Sequence, residues 1–396
     1  MLHTPRAAAR RPAPSHAPGS ALRVASRSAL RALLAVGLLG GLVAACSGED
    51  VAGSEVAGDR ASTTSSAPTS TAAAPTTTRG PEGSGEPVTL AFAGDASFQD
   101  LEGGLASDPE GLLSAIAPVL GAADVSMVNL EAALGSGGER AAKTFAFQVP
   151  ESALVALGAA GTDVVSMANN HGMDHGRGGL ESSLEIRARS QVAVIGIGSD
   201  AEDAYRPYVT EVRGQRIGII AANDVFDSNL VGSWTATDDQ GGIASAEEAH
   251  QERLATEVAE LRPQVDTLAV YLHYGTEKET CPNARQRELV ELLVGAGADI
   301  VVGSHAHRLQ GLGYLGDRFV AYGLSNFVFR SPSDAGRATG VLTVTATGRR
   351  IDGFEWSPGR ITASVPAPLT GDEAQAAQAQ MDQLRGCAGL TTEPGT

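Results

Sequence analysis

A surplus of positive charge is what this sequence most clearly lacks, and the lack narrows its partners. Lysine and arginine total 29 against 46 aspartates and glutamates, a formal net charge of −17, so phosphate backbones and bare anionic lipid are poor electrostatic partners. No nucleic-acid partner is expected. Six of the basic residues (Arg6, Arg10, Arg11, Arg23, Arg27 and Arg31) lie in the first 45 positions, where no acidic residue stands, so the remainder is more acidic still. Long apolar runs are equally scarce. One of note, Ala32 to Ala45, is short for a spanning helix, which needs about 20 residues. Aromatic residues make up only 4%, beside 42% hydrophobic residues and 48 glycines, and no internal repeat is visible. What remains is the composition of a soluble globular protein. A phosphoryl substrate is not excluded, because metals bound by clustered carboxylates reverse the local field.

The arginines followed by the apolar run have the layout of a secretory signal. It closes on Val43-Ala44-Ala45-Cys46-Ser47, which resembles a lipobox. On this reading residues 1–45 are removed and Cys46 carries a diacylglycerol; the alternative is an ordinary signal with an incidental cysteine. Residues 46–86 are serine, threonine, alanine, glycine and proline with hardly a large apolar side chain, too little to offset the entropy of ordering. A disordered tether of that length spans roughly 35 Å. The expected protein is extracytoplasmic and lipid-anchored to the cell membrane. About 300 residues are left, enough for one large core, assigned to 87–365 with a C-terminal tail over 366–396.

Within that core, short apolar runs alternate with helical spacings. Val88 to Ala93 and Val125 to Leu130 flank a Leu112, Leu113, Ile116, Val119, Leu120 pattern. Helices are expected near Glu151 to Ala160, Leu180 to Arg189, Ala246 to Leu261 and Arg285 to Gly295. Strands are expected at Asp163 to Met167, Val192 to Ile197, Thr267 to Leu272, Asp299 to Val302, Phe319 to Phe329 and Val341 to Thr347. A hairpin pairs Tyr208 to Val212 with Arg216 to Ala222. Such alternation predicts an α/β layered fold.

Polar residues punctuate the strand ends: Asp95, Glu131, Asn169-Asn170-His171, His273 and Ser304-His305-Ala306-His307. Strand ends of one sheet edge are where α/β folds place their sites. Taken singly, Asp95 reads as a turn or cap and His273 as little more. Capping explains neither Asn170-His171 nor the pair His305 and His307, which in extended backbone project to the same side. Carboxylate, amide oxygen and imidazole together suit Mn, Fe or Zn.

These stretches, with Leu272-His273-Tyr274-Gly275, Gly295 to His307 and Tyr322-Gly323-Leu324-Ser325-Asn326-Phe327 in this order, resemble the capsule-synthesis proteins of the CapA type, named for poly-γ-glutamate capsules and related to the calcineurin-like metallophosphoesterases. The likeness runs from about Val88 to Phe329 and implies a layered metallophosphoesterase-like sandwich. It implies two divalent metals, with Asp95 and His307 serving one, Asn170, His273 and His305 the other, and Glu131 bridging in place of the usual aspartate. His171 would stand beside them as proton donor to a leaving oxygen, the metals activating water and neutralising phosphoryl oxygens. Asp174 would fix an imidazole tautomer, Asn326 would orient a ligand or close a turn, and His175 would be exposed and idle. One departure from the phosphoesterase pattern matters: the usual Asp-x-His of those enzymes is here Asp95-Ala96-Ser97, so one metal would lack an imidazole. Ser325 replaces a usual glycine. Cys281 and Cys387, on the oxidising side of a membrane, are expected to pair.

Two functions follow. One is a metal-dependent hydrolase of a phosphoester or a cell-envelope polymer, including the amide of γ-linked polyglutamate. The other is a non-catalytic protein that binds or guides an anionic polymer during synthesis or export, alongside membrane-embedded capsule synthase subunits. A solute-binding lipoprotein would share the signal and tether but leaves His305-Ala306-His307 unexplained.

Overall fold

The computed structural model describes residues 84–395. The signal segment, Cys46 and nearly all of the tether lie outside the described residues. Two large sheets dominate. The first has eight strands in the order Val365–Pro368, Arg350–Thr362, Ala338–Thr347, Val88–Ala96, Val125–Leu130, Val164–Ser166 and Ala193–Ile195, with Asn326–Val328 paired to the end of Val88–Ala96. From Val88–Ala96 to Ala193–Ile195 the neighbours run parallel, while the three C-terminal strands are antiparallel. The second sheet orders six strands as Leu312–Leu315, Arg318–Ala321, Ile300–His305, Thr267–Tyr274, Gln215–Asn223 and Tyr208–Val212. This is the layered α/β sandwich that the sequence implies.

Strand parity shows how the layers form. Every residue of Thr267–Tyr274 is buried, as a central parallel strand requires. Leu268, Val270 and Leu272 pack outward with Leu254 and Val258 of helix Gln251–Leu261 and with Leu289 and Leu293 of helix Ala284–Ala296. Ala269 and Tyr271 instead join a core that includes Phe92, Met127 and Val128 of the first sheet. The Tyr271 hydroxyl donates to the Ala93 carbonyl at 2.8 Å, joining the sheets. His273 shares the parity of Ala269 and Tyr271, so period-two alternation carries it to the same inner side.

Helix Ala284–Ala296 starts at a capping box between Asn283 and Gln286 and stops at Gly297, whose φ of 120° favours glycine. The hairpin Tyr208–Val212/Gln215–Asn223 turns on Arg213-Gly214, both at positive φ, the backbone of a tight two-residue turn.

Three expectations need correction. The Leu112 to Leu120 pattern is helical only over Ala117–Leu120; the preceding residues are three-residue turns, with Ser114 N–H bonded to Gly111 O and Ile116 N–H to Leu113 O. Such turns keep Leu113, Ile116 and Leu120 buried at nearly the same spacing. The helix expected from Ala246 begins at Gln251, because Ala246 spends its N–H on the Asn223 carbonyl and its carbonyl on Arg285. The strand Arg350–Thr362, which pairs along Ala338–Thr347, was not foreseen: Gly353, Pro358 and Gly359 interrupt its pattern. In the segment expected as a tail, Gly371–Ala388 forms a helix that buries Met381, Arg385 and Ala388. Among the described residues no helix is long and apolar enough to cross a membrane.

Candidate metal centre

The parallel strands deliver their polar residues to one place. Asp95 is the eighth residue of Val88–Ala96, Glu131 follows Val125–Leu130 directly, and His273 and His305 lie at the ends of adjacent strands, where His273 pairs with Ser304 and Tyr274 with His305. Gly94 permits the close approach: a β-carbon there would collide with the Ser325 carbonyl. His305 and His307 both hold positive φ, 90° and 50°, as does Ser325 at 61°. Strained backbone on non-glycine residues clusters at functional sites.

Side-chain donors converge into two overlapping groups, Glu131 with His273 and His305, and Asp95 with Glu131 and His307. Within the first, His273 Nε2 lies 2.8 Å from Asn170 Oδ1 and 3.1 Å from His305 Nδ1, spacings on the order of those between neighbouring ligands around one ion with bonds of about 2.1 Å. Glu131 is central. Its Oε1 stands 3.7 Å from both His171 Nε2 and His273 Nε2 and 3.9 Å from His307 Nε2. It is fully buried, and neither carboxylate oxygen has a hydrogen-bond partner among the described residues. Two unsatisfied buried anionic oxygens are costly unless a cation meets them. That is the arrangement a divalent ion would complete.

Electrostatics agree with this geometry. Burial, reinforced by Asp95 and Asp174, pushes the Glu131 carboxyl well above its ordinary range. Burial also raises Asp95, opposed chiefly by His307. His273 is pushed well down and His305 to about 3, by burial first and then by neighbouring imidazoles. Neutral imidazoles present lone pairs without having to shed a proton.

A supporting network orients these groups. Asn129, which the sequence reading passed over within Val-Asn-Leu-Glu, donates to Asp95 Oδ1 at 2.8 Å and faces His273 Nδ1 at 3.2 Å. Asn169 donates to Asn129 and to the Leu130 carbonyl and accepts the His171 N–H. Asn326 Oδ1 lies 2.7 Å from His307 Nδ1 while its Nδ2 donates to the Gly336 carbonyl, so it positions a histidine and closes a turn together. Asp174 meets His171 Nδ1 at 2.5 Å and accepts the Phe147 N–H. Phe147 stacks on the His171 ring at 4.3 Å.

Lys143 was also missed, although it is one of two lysines in the sequence. Its Nζ donates to the Asn170 carbonyl at 2.6 Å, lies 3.0 Å from Asp174 and 3.2 Å from Asp227, and sits 5.2 Å over the Trp234 ring. Three loops therefore meet on one ammonium group. His175, expected exposed, is half-buried next to helix Gly176–Arg187. Ser97, where an imidazole would complete the first motif, is buried and its hydroxyl has no partner among the described residues.

Residues 89–331 match the family model described as bacterial capsule synthesis protein PGA_cap. The PGA biosynthesis protein CapA of Bacillus subtilis is 30% identical over 214 residues, 53% of each chain. A probable polyglutamine synthesis accessory protein of Mycobacterium tuberculosis is 27% identical over 213 residues, 52% of this chain and 56% of the other. The chain thus spans about half the length of the curated relatives it matches. Among solved structures, a putative 5'-nucleotidase from Staphylococcus aureus aligns with a TM-score of 0.44 at 14% identity, over 75% of this chain and 58% of that one.

Proposed function

Since the chain belongs to the bacterial capsule synthesis family PGA_cap, we propose that it is an extracytoplasmic, lipid-anchored component of polyglutamate capsule synthesis whose buried cluster is a two-metal hydrolase site. The observation that carries this reading is Glu131, buried with both oxygens unpartnered among three imidazoles. Asp95 and His307 would hold one divalent ion, Asn170, His273 and His305 the other, with Glu131 shared. Bound there, the ions (Mn, Fe or Zn) would supply an activated water and charge neutralisation for a phosphoester or an envelope-polymer amide. The protein's part is orientation and proton supply. Asp174 holds the Nδ1 side of His171, which leaves Nε2 facing the cluster to protonate a leaving oxygen. Burial holds the His171 pKa below its ordinary value, opposed in part by Asp174. Cys46 would carry the lipid and the Cys281–Cys387 pair would tie the C-terminal helix to the domain.

The test is elemental analysis of the purified full chain beside His305→Ala and His307→Ala variants, followed by a phosphodiesterase assay with added Mn. Near two metals per chain, lost together with turnover in the variants, is the expected result; no metal and no turnover sinks the hydrolase. A second reading, a non-catalytic protein that binds or guides an anionic polymer beside membrane-embedded synthase subunits, draws on Ser97. The chain has the Ser97 hydroxyl where metallophosphoesterases usually carry an imidazole, which would weaken one ion site.

A further inference from the structure

We propose that four arginines beside the cluster, Arg308, Arg330, Arg337 and Arg360, form a track for an anionic chain of repeated carboxylates and lead it past Phe147 toward Glu131 and His307. The track concerns the substrate of the site assigned above, and so rests on that reading for its destination but not for its binding.

The arginines are fixed to the cluster through short links. Arg308 follows His307 and donates to its carbonyl at 2.6 Å. It lies over Gly336, where a β-carbon would come within 3.0 Å of its Nη1. The Gly336 carbonyl accepts from Asn326, which also meets His307. Arg337 is the next residue. Arg337 and Arg360 share the single carboxylate of Asp334, the latter at 2.8 Å, and Arg330 lies 3.3 Å from Asp100. Four guanidinium groups thus stand against three carboxylates, Asp100, Asp334 and the Glu102 that lines the hollow beside Arg330, which leaves a local excess of positive charge in a protein whose net charge is −17.

Shape supports a path. Asp100 and Arg330 line two adjoining hollows. One, of about 310 Å³, includes Ser97 and Phe147; the other, of about 420 Å³, includes Ser331, Arg337, Arg360 and Ser364. Because they share a wall, the run is unbroken from the ring that stacks on His171 to Arg360. The side chains of Arg330, Arg337 and Arg360 are 68%, 37% and 45% exposed, within reach of a ligand. Guanidinium forks match carboxylate and phosphate alike. Here one oxygen each of Asp334 and Asp100 already contacts them, and a chain of carboxylates would take up such contacts along the track.

The experiment measures binding of fluorescent deca-γ-glutamate to the full chain by anisotropy at two salt concentrations. Arg330→Gln with Arg360→Gln, both exposed, should weaken binding roughly tenfold and flatten its salt dependence, since screened surface contacts are lost. Arg189→Gln, an exposed arginine outside the track, should change nothing. Unchanged affinity in the double variant, or no binding by the wild type, overturns the track. Tighter binding of a ten-unit polyphosphate overturns the carboxylate assignment. Retained binding in His305→Ala supports it as separate from the metal residues. Should the wild type show neither metal nor turnover while the tenfold loss persists, the hydrolase reading fails and the track stands.

Discussion

At the residue scale, Glu131 is a buried carboxyl without a hydrogen-bond partner among the described residues, and two consequences differ in sign. In metal-free protein Glu131→Gln removes a charge that burial already disfavours, so the variant should melt higher than the wild type in chelator. With Mn in about 100-fold excess over its dissociation constant the wild type should gain roughly 2.7 kcal/mol and the variant almost none. Calorimetry with and without Mn reads both, and equal Mn shifts in the two proteins would remove Glu131 from the ion site. Lys143 makes a different case. It touches Asp174 and the Asn170 carbonyl but none of the donors themselves, so it is a positioning residue. Lys143→Met should lower turnover on the order of 10- to 100-fold, as losing an outer partner does, with KM and metal content nearly unchanged. A loss of metal in that variant would make its role merely structural.

At the level of elements, the strand ends were legible because chemistry and periodicity coincide there. Asp95, Glu131, His273 and His305 each close an apolar run, and sheet pairing then brings them together. The loops were not legible. Lys143 lies 28 residues before His171 in a stretch without period, and only the fold makes them neighbours. The track arginines are similarly scattered, and Arg360 lies on a strand whose glycines and proline hid it. Asp224 shows how an element end can carry a measurable pH signature. It follows the strand Gln215–Asn223, bonds Arg285, and burial, only partly offset by Arg285, raises it to about 6. The folded state then binds a proton more tightly than the unfolded chain, so this group's contribution to stability falls as pH rises from about 4 to about 6, by at most about 3 kcal/mol. Urea midpoints across that range should fall less for Asp224→Asn than for the wild type. Parallel curves would show that Asp224 titrates normally.

At the scale of the whole molecule, the C-terminal helix is the element that sequence periodicity described least, since its alanine- and glutamine-rich face offers few apolar anchors. Met381 is buried in the main core, Arg287 reaches the carbonyls of Ala388 and Cys387, and Thr391 bridges to Tyr314. Cys387 on this helix faces Cys281 with their Cα atoms 5.7 Å apart, within disulfide range. A bond there closes a loop across 106 residues, which contains His305, His307 and most of the second sheet's later strands. Constraining so long a stretch of the unfolded chain stabilises by about 2 to 5 kcal/mol. Cys387→Ser should therefore lower the thermal midpoint by several degrees, and reductant should lower the wild type to the same point. Metal stoichiometry should hold, because the Cys281 loop keeps other ties to the site: Lys278 N–H to the Ala306 carbonyl at 2.7 Å, and Gln310 to the Glu279 carbonyl at 3.1 Å. If reductant leaves the wild-type midpoint unmoved, the thiols are unpaired and the helix is held by packing and Arg287 alone. If metal is lost along with the bond, the disulfide supports the His305-Ala306-His307 segment directly, and the C-terminal helix belongs to the site as well as to the fold.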